Sequence, residues 1–201
     1  MVQARPHLLL LGWYRPGTGF TRVLSALAQR LARHYRITWF GVGYQGPAQQ
    51  LSDQVWLEPT NLRGGDMVGA YAVRARWQQL AVDAILALND LWYLKHYSEV
   101  LGPIRGRVPM LGYLPLDGRI ARSDQVQGVD GFSALVTYTQ SAAADLRVAA
   151  SAASFTRLAR SAPVKPGVSA AISSMKGCRC SGQCCAANAS IITDASSPRM
   201  A

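Results

Sequence analysis

Two short runs of this sequence consist almost entirely of apolar residues and end where glycine or polar residues begin. One covers residues 7–12 (HLLLLG) and the other covers residues 84–88 (AILAL), directly before Asn89 and Asp90. A strand with one face in water alternates apolar and polar residues, whereas a strand covered on both faces can be apolar throughout. The two runs therefore predict strands of a parallel sheet that is covered by helices on both faces.

Further segments extend this pattern of alternating strands and helices. Apolar residues recur every three to four positions over residues 21–35, which indicates a helix whose possible N-cap is Thr18. Other strands are predicted at residues 36–43, 54–58, 108–114 and 134–139, and other helices at residues 66–80, 91–101 and 140–150. Strands and helices that alternate with short connections are typical of an α/β protein with a Rossmann-like open parallel sheet.

The composition changes near residue 150, and we expect a domain boundary there. Residues 1–150 form the predicted Rossmann-like domain, whereas residues 151–201 are rich in Ser, Ala and Arg and lose the apolar periodicity. The segment 151–201 is either a natural disordered tail or the product of an out-of-frame reading that truncates the protein. We favour the second interpretation because the α/β pattern stops abruptly.

The four cysteines of the chain all lie in this last segment, at Cys178, Cys180, Cys184 and Cys185. Their spacing lacks the second, distant pair of ligands that zinc sites use, and no histidine lies nearby. The sequence therefore predicts no metal site.

The formal net charge of the chain is +10. The basic residues are dispersed and form no cluster with aromatic residues, so we expect no nucleic-acid partner. No apolar stretch reaches the roughly 18 residues of a membrane-spanning helix, and the first apolar run is too short for a secretion signal. We therefore expect a cytoplasmic protein. The arginine-bearing helix near residues 22–36 leaves a peripheral membrane contact possible, although its apolar face is also needed to cover the sheet.

The loop after the first strand contains the first candidate site. Gly17, Thr18 and Gly19 directly precede a helix, whose free N–H groups and positive dipole end favour phosphate. The loop does not match the dinucleotide pattern G-x-G-x-x-G, because Arg22 stands where the third glycine belongs, and it is no ATPase P-loop. The alternative interpretation is that the glycines only shape a tight turn.

Polar residues also follow two later strands. Asn89 and Asp90 follow the AILAL strand, and Asp117 follows the strand that contains VPMLGYL. Because ligands bind beyond the carboxyl ends of parallel strands, these residues and the glycine loop are expected to open into one hollow. The alternatives are that Asp90 caps the next helix and that Asp117 is a turn residue.

Four segments, in this order, resemble the N-terminal domain of GT-B glycosyltransferases of the family 4 type. They are LLLLGWYRPGTGFTRVLSALAQRLA, AILALNDLWYLKHY, VPMLGYLPLDGRI and ALVTYTQSAAADL. Together they span residues 7 to about 148, which is most of the patterned part of the chain.

The resemblance implies a two-domain enzyme that transfers a sugar from a nucleotide-sugar donor to a glycan or lipid acceptor, without a metal or other cofactor. It assigns residues to both sides of the cleft between the domains: Gly17, Thr18, Gly19 and Arg22 near the donor diphosphate, and Asn89, Asp90 and Asp117 on the acceptor side.

In this family a second domain holds the donor through a Lys/Arg pair and two glutamates, and the sequence has no counterpart of these elements. We therefore expect this chain alone to be inactive, and we assign no catalytic residue. The alternative is a non-catalytic α/β module that binds a nucleotide or a sugar.

Overall fold

A single, mostly parallel sheet organises the part of the chain that the computed structural model describes, residues 5–152 and 190–193. Its strands are β1 (His7–Trp13), β2 (Arg36–Val42), β3 (Gln49–Ser52), β4 (Val55–Pro59), β5 (Ala84–Leu88), β6 (Met110–Leu114), β7 (Ala134–Thr137) and β8 (Ser190–Thr193). The helices are α1 (Gly19–Leu31), α2 (Ala70–Leu80), α3 (Leu94–Arg105) and α4 (Gln140–Ala152). Short 3-10 helices lie in the connections at Leu62–Gly64, Leu91–Tyr93, Ser123–Val126 and Val129–Gly131.

The strand order across the sheet is β3-β4-β2-β1-β5-β6-β7-β8. The outer strands β3 and β8 are antiparallel to their neighbours, and all the other pairings are parallel. The chain builds outwards from β1 to β2 and β4, and then returns to the other side of β1 with β5. This reversal between β1 and β5 creates a crevice at the carboxyl edge of the sheet, where ligands bind in such folds. The predicted Rossmann-like α/β fold is confirmed.

The two faces of the sheet bury different side chains of the same strand. Leu8 and Leu10 of β1 pack in the cluster that includes α1, whereas Leu9 and Leu11 pack in the cluster that includes α2, α3 and α4. All four leucines are at most 2% exposed. Helices on both faces therefore explain why the run HLLLLG has no polar alternation.

The hairpin strand β3 is absent from the sequence prediction. Its four residues (QQLS) are all exposed, so it carries neither a buried face nor an apolar pattern. It forms because its backbone pairs with β4 at the edge of the sheet, in a register that is irregular between Gln50 and Ser52.

All four helices differ at one end or both from the sequence prediction; α1, for example, covers Gly19–Leu31 rather than residues 21–35. Helix α2 begins at Ala70 rather than at Asp66, but the Asp66 carboxylate still accepts hydrogen bonds from the backbone N–H groups of Tyr71 and Ala72, at 3.3 and 2.8 Å. Helix α3 continues past Pro103 to Arg105, because buried Ile104 anchors its last turn to the core.

Most of the predicted tail, residues 151–201, lies outside the described residues, and so do the four cysteines. The expectation of disorder or of an out-of-frame reading concerns the same residues. The exceptions are the end of α4 and the strand β8, which pairs antiparallel with β7. The sequence analysis assigned no strand to Ser190–Thr193. This segment is rich in β-branched residues, which suit an edge strand. Within the described ranges, no helix combines the length and apolar content that crossing a lipid bilayer requires.

Candidate functional site

A pocket of about 350 Å³ opens at the carboxyl edge of the sheet, beside the crevice between β1 and β5. One wall is the start of the β5–α3 segment, with Asp90, Trp92 and Lys95. The opposite wall is the connection from β6 to β7, which contributes Asp117 and Arg119. The pocket therefore joins residues that follow two neighbouring parallel strands.

The β6–β7 connection folds back over α3 because apolar side chains anchor it at both ends. Leu116 and Ile120 pack against the core near its start, and Val126 and Val129 are buried near its end. The Ser98 hydroxyl of α3 donates a hydrogen bond of 2.6 Å to the carbonyl oxygen of Gly128. The wall that carries Asp117 is thus tied to the domain on either side of the pocket.

Three carboxylates line the pocket, those of Asp90, Asp117 and Asp124, and the charge of Asp117 acts on Asp90. Burial raises the pKa of Asp90, and the negative charge of Asp117 raises it further. Asp90 is half-buried and makes no cap hydrogen bond to the 3-10 helix that follows it, so its carboxylate is not used as a helix cap. A pair of adjacent carboxylates repels phosphate and accepts hydrogen bonds from neutral hydroxyl groups.

Trp92 gives the pocket an apolar surface. Its side chain is 70% exposed, although burying a tryptophan ring is strongly favourable. Lys95 and Arg119 add donors beside it, and Lys95 Nζ lies 4.0 Å from Glu99 Oε1 in an exposed and therefore weak ion pair. The site thus combines an aromatic plane with hydrogen-bond acceptors and donors, which suits a ligand with an apolar face and a polar rim.

Asn89 lies beside this pocket but does not line it. Its side chain is 1% exposed, and its Nδ2 donates to the hydroxyl oxygen of Tyr97 at 3.2 Å. Its Oδ1 accepts from the backbone N–H of Asp90 at 3.0 Å. Of the residues assigned to the acceptor side, the structure therefore brings Asp90 and Asp117 together in one pocket and buries Asn89 below them.

The glycine loop lies at the same edge of the sheet, at the end of β1. Gly17 has a φ of +85°, and Thr18 caps α1 by accepting a hydrogen bond of 3.3 Å from Thr21 N, as the sequence predicts. A Cβ added at Gly17 or Gly19 would meet nothing within 4 Å, and Arg22 is exposed. None of the residues assigned to the donor side lines the pocket with Asp90. The sequence predicted one hollow at three turns, but the pocket is formed at only two of them, those that carry Asp90 and Asp117.

Sequence reasoning assigned no role to several lining residues. Trp92 lies in the stretch NDLW, and its bulk at a polar strand end was the signal that could have identified it. Arg119, Ile120 and Gln125 belong to a long connection without periodicity, so no local pattern marks them.

The substitution Asp117→Asn is expected to lower the pKa of Asp90 toward its ordinary value, because it removes one of the two causes that raise it. An acid whose pKa is raised by folding destabilises the domain as the pH rises through its titration, since the folded state binds the proton more tightly. The loss of domain stability with rising pH is therefore smaller in Asp117→Asn. A ¹³C NMR titration of the Asp90 carboxyl carbon measures the change.

Asp124→Asn is the matched control, because Asp124 also lines the pocket but its carboxylate is paired with Arg122. It should leave the titration of Asp90 unchanged. Identical titration of Asp90 in the wild type and in Asp117→Asn would show that the two carboxylates do not interact.

No protein-family model and no curated protein matches this sequence. The resemblance to GT-B glycosyltransferases therefore stays a prediction, and the fold and the pocket provide the structural basis for a function.

Proposed function

We propose that this domain is the acceptor-binding half of a glycosyltransferase that uses a nucleotide-sugar donor. The observation that carries the proposal is the pocket in which Asp90 and Asp117 lie with exposed Trp92 at the carboxyl edge of a Rossmann-like sheet. The resemblance of four sequence segments to the GT-B family 4 type supports the same assignment.

The chemistry of the pocket fits a sugar. A sugar ring has C–H groups on one face, which can stack on the indole of Trp92, and hydroxyl groups around its rim. Asp90 and Asp117 accept hydrogen bonds from those hydroxyls, and Lys95 and Arg119 donate to sugar oxygens. Because adjacent carboxylates repel phosphate, this pocket suits a neutral acceptor better than a donor diphosphate.

The donor diphosphate is proposed to bind at the glycine loop on the other side of the β1–β5 crevice. Gly17 and Gly19 leave open space there, and the N-terminus of α1 with nearby Arg22 favours negative charge. In this proposal, catalysis also requires the donor-binding groups of a second domain. A cytoplasmic location, with a glycan or a lipid-linked acceptor at the membrane surface, belongs to the same proposal.

A non-catalytic sugar-binding module is the second candidate. It would use the same pocket, and it is favoured by a pocket lining that offers a sugar an aromatic plane, hydrogen-bond acceptors and donors within this one domain. The two candidates differ in one measurable respect. A transferase half, combined with a donor-binding domain, moves sugar from a nucleotide sugar to the bound acceptor, whereas a binding module does not.

The test is binding of the full chain to a panel of neutral oligosaccharides, followed by calorimetry with the tightest of them. Trp92→Ala should weaken binding by about tenfold or more, because an exposed tryptophan that stacks on a ligand contributes at least ~1.4 kcal/mol. Trp56→Ala is the control, because Trp56 is 44% exposed but lies in β4 near the other edge of the sheet.

Equal binding by the wild type and by Trp92→Ala would contradict the proposal, as would the absence of binding to every neutral oligosaccharide. Binding that is lost in Trp92→Ala, kept in Trp56→Ala and never followed by sugar transfer with any added second domain would favour the binding module.

A further inference from the structure

We infer that Asn89 and Tyr97 are positioning residues, because a buried chain of hydrogen bonds through their side chains fixes the backbone at Asp90 and thereby shapes the proposed pocket. The hydrogen bonds themselves do not depend on the proposed function, but the effect on ligand affinity rests on it.

The chain of hydrogen bonds runs between two loops at the carboxyl edge of the sheet. Asn89 Oδ1 accepts from Asp90 N at 3.0 Å, and Asn89 Nδ2 donates to the Tyr97 hydroxyl at 3.2 Å. The Tyr97 hydroxyl in turn donates to the carbonyl oxygen of Val68 at 3.2 Å, in the loop that precedes α2. Asn89, Tyr97 and Val68 are each at most 1% exposed, so water does not compete for these bonds.

The position of these hydrogen bonds explains how the carboxylate of Asp90 can line the pocket instead of capping a helix. Many aspartates at such positions cap the following helix with their side chain. Here the side chain of Asp90 makes no cap hydrogen bond, and its backbone N–H is held by Asn89 instead. The side chain of Asn89 therefore orients the residue after it, and the Asp90 carboxylate lines the pocket.

Helix α3 holds both walls of the pocket through consecutive residues. Tyr97 secures the Asp90 wall and also packs edge-on against Phe132, with ring centroids 6.5 Å apart. Ser98 holds Gly128 in the opposite wall through its hydrogen bond of 2.6 Å. Because both contacts come from one helix, the separation of the two walls is set before any ligand arrives, which is the property that pre-organisation requires.

The hydroxyl of Tyr97 keeps its proton, and so remains a donor, at neutral pH. Burial raises the pKa of Tyr97 well above that of an exposed tyrosine. The hydrogen bond to the carbonyl oxygen of Val68 therefore gives the pocket a fixed frame beside Asp90.

The first test measures amide hydrogen exchange in the full chain by NMR, without a ligand. Asn89→Ala removes the acceptor for Asp90 N–H, and its exchange should become roughly fivefold faster or more. Tyr97→Phe keeps the ring but removes the hydroxyl, and exchange should become faster at Asp90 and in residues 65–69. Tyr71→Phe, at a half-exposed tyrosine of α2, is the matched control and should change neither.

The second test separates positioning from a merely structural role. The affinity for the tightest neutral oligosaccharide of the panel is measured in a double-mutant cycle of Tyr97→Phe with Asp90→Asn. If Tyr97 acts through Asp90, Tyr97→Phe weakens binding several-fold in the wild-type background and has little further effect in Asp90→Asn.

The outcomes also distinguish this inference from the proposed function. Unchanged exchange at Asp90 in both Asn89→Ala and Tyr97→Phe would overturn the positioning role, whatever the protein binds. Additive losses in the double-mutant cycle would overturn it as well. Faster exchange in a chain that binds no oligosaccharide would uphold the hydrogen-bond frame and count against the proposed function alone.

Discussion

Replacing Trp39 by alanine is expected to lower the free energy of unfolding by about 4 kcal/mol, a large part of the stability of a typical domain. Trp39 lies in the middle of β2 and is 1% exposed. Its indole N–H donates to the carbonyl oxygen of Gly12 at 3.2 Å, and its ring packs edge-on against Tyr14. The substitution leaves a cavity under α1 and a buried carbonyl without its donor, so both losses add.

Urea unfolding followed by circular dichroism measures this effect, and Trp56→Ala is the control. Trp56 is 44% exposed, so its removal should change the free energy of unfolding by less than about 1 kcal/mol. Similar losses in the two variants would show that Trp39 is not the buried centre that the structure describes.

Replacing Gly128 by alanine is expected to lower the free energy of unfolding by about 3 kcal/mol. Gly128 has a φ of +91°, which costs a residue with a Cβ about 1–2 kcal/mol. An added Cβ would also lie 2.5 Å from both Cα and N of Lys95, so the connection would have to move away from α3 at a further cost of about 1–3 kcal/mol. Because Lys95 lines the pocket, oligosaccharide binding should weaken with it.

Substitutions at two other glycines separate the cost of the positive φ from the cost of the contact with α3. Gly17 has a φ of +85° but open space around it, so Gly17→Ala reports the backbone term alone, about 1 kcal/mol. Gly118 lies on the same connection as Gly128, with a φ outside the left-handed region and no neighbour within 4 Å, and Gly118→Ala should stay within about 0.5 kcal/mol of the wild type. If Gly128→Ala proves no less stable than Gly17→Ala, the contact with α3 does not exist.

The local chemistry of the sequence was enough to locate several structural features. The uniform apolar run at residues 7–12 predicted a doubly covered strand, and the alternate burial of its leucines in two clusters confirms it. Thr18 was expected to cap α1 and does so. A helix was predicted from residue 66, and although α2 begins at Ala70, the Asp66 carboxylate binds its first turn. These features depend on neighbours within a few positions, which a sequence pattern displays directly.

The candidate site was predicted only in part. Asp90 and Asp117 were both placed at the carboxyl edge, because strand ends can be read from apolar runs. Their meeting in one pocket, with Trp92, required the β6–β7 connection to fold back over α3, and its anchors Leu116 and Ile120 follow no periodic pattern. The antiparallel strand β3 escaped prediction for a related reason, since backbone pairing alone holds its exposed residues at the edge of the sheet.

By itself, then, the sequence determined the type of sheet, the approximate position of most of its elements and the edge of the sheet at which Asp90 and Asp117 lie. Only the tertiary structure decided that two adjacent polar residues have different roles, with Asn89 buried in a hydrogen-bond chain and Asp90 in the pocket wall. The physical reason is one of range. Apolar periodicity and capping act between residues close in the chain, whereas the environment of a single side chain at a strand end depends on Tyr97 and Val68, which distant parts of the sequence bring to it.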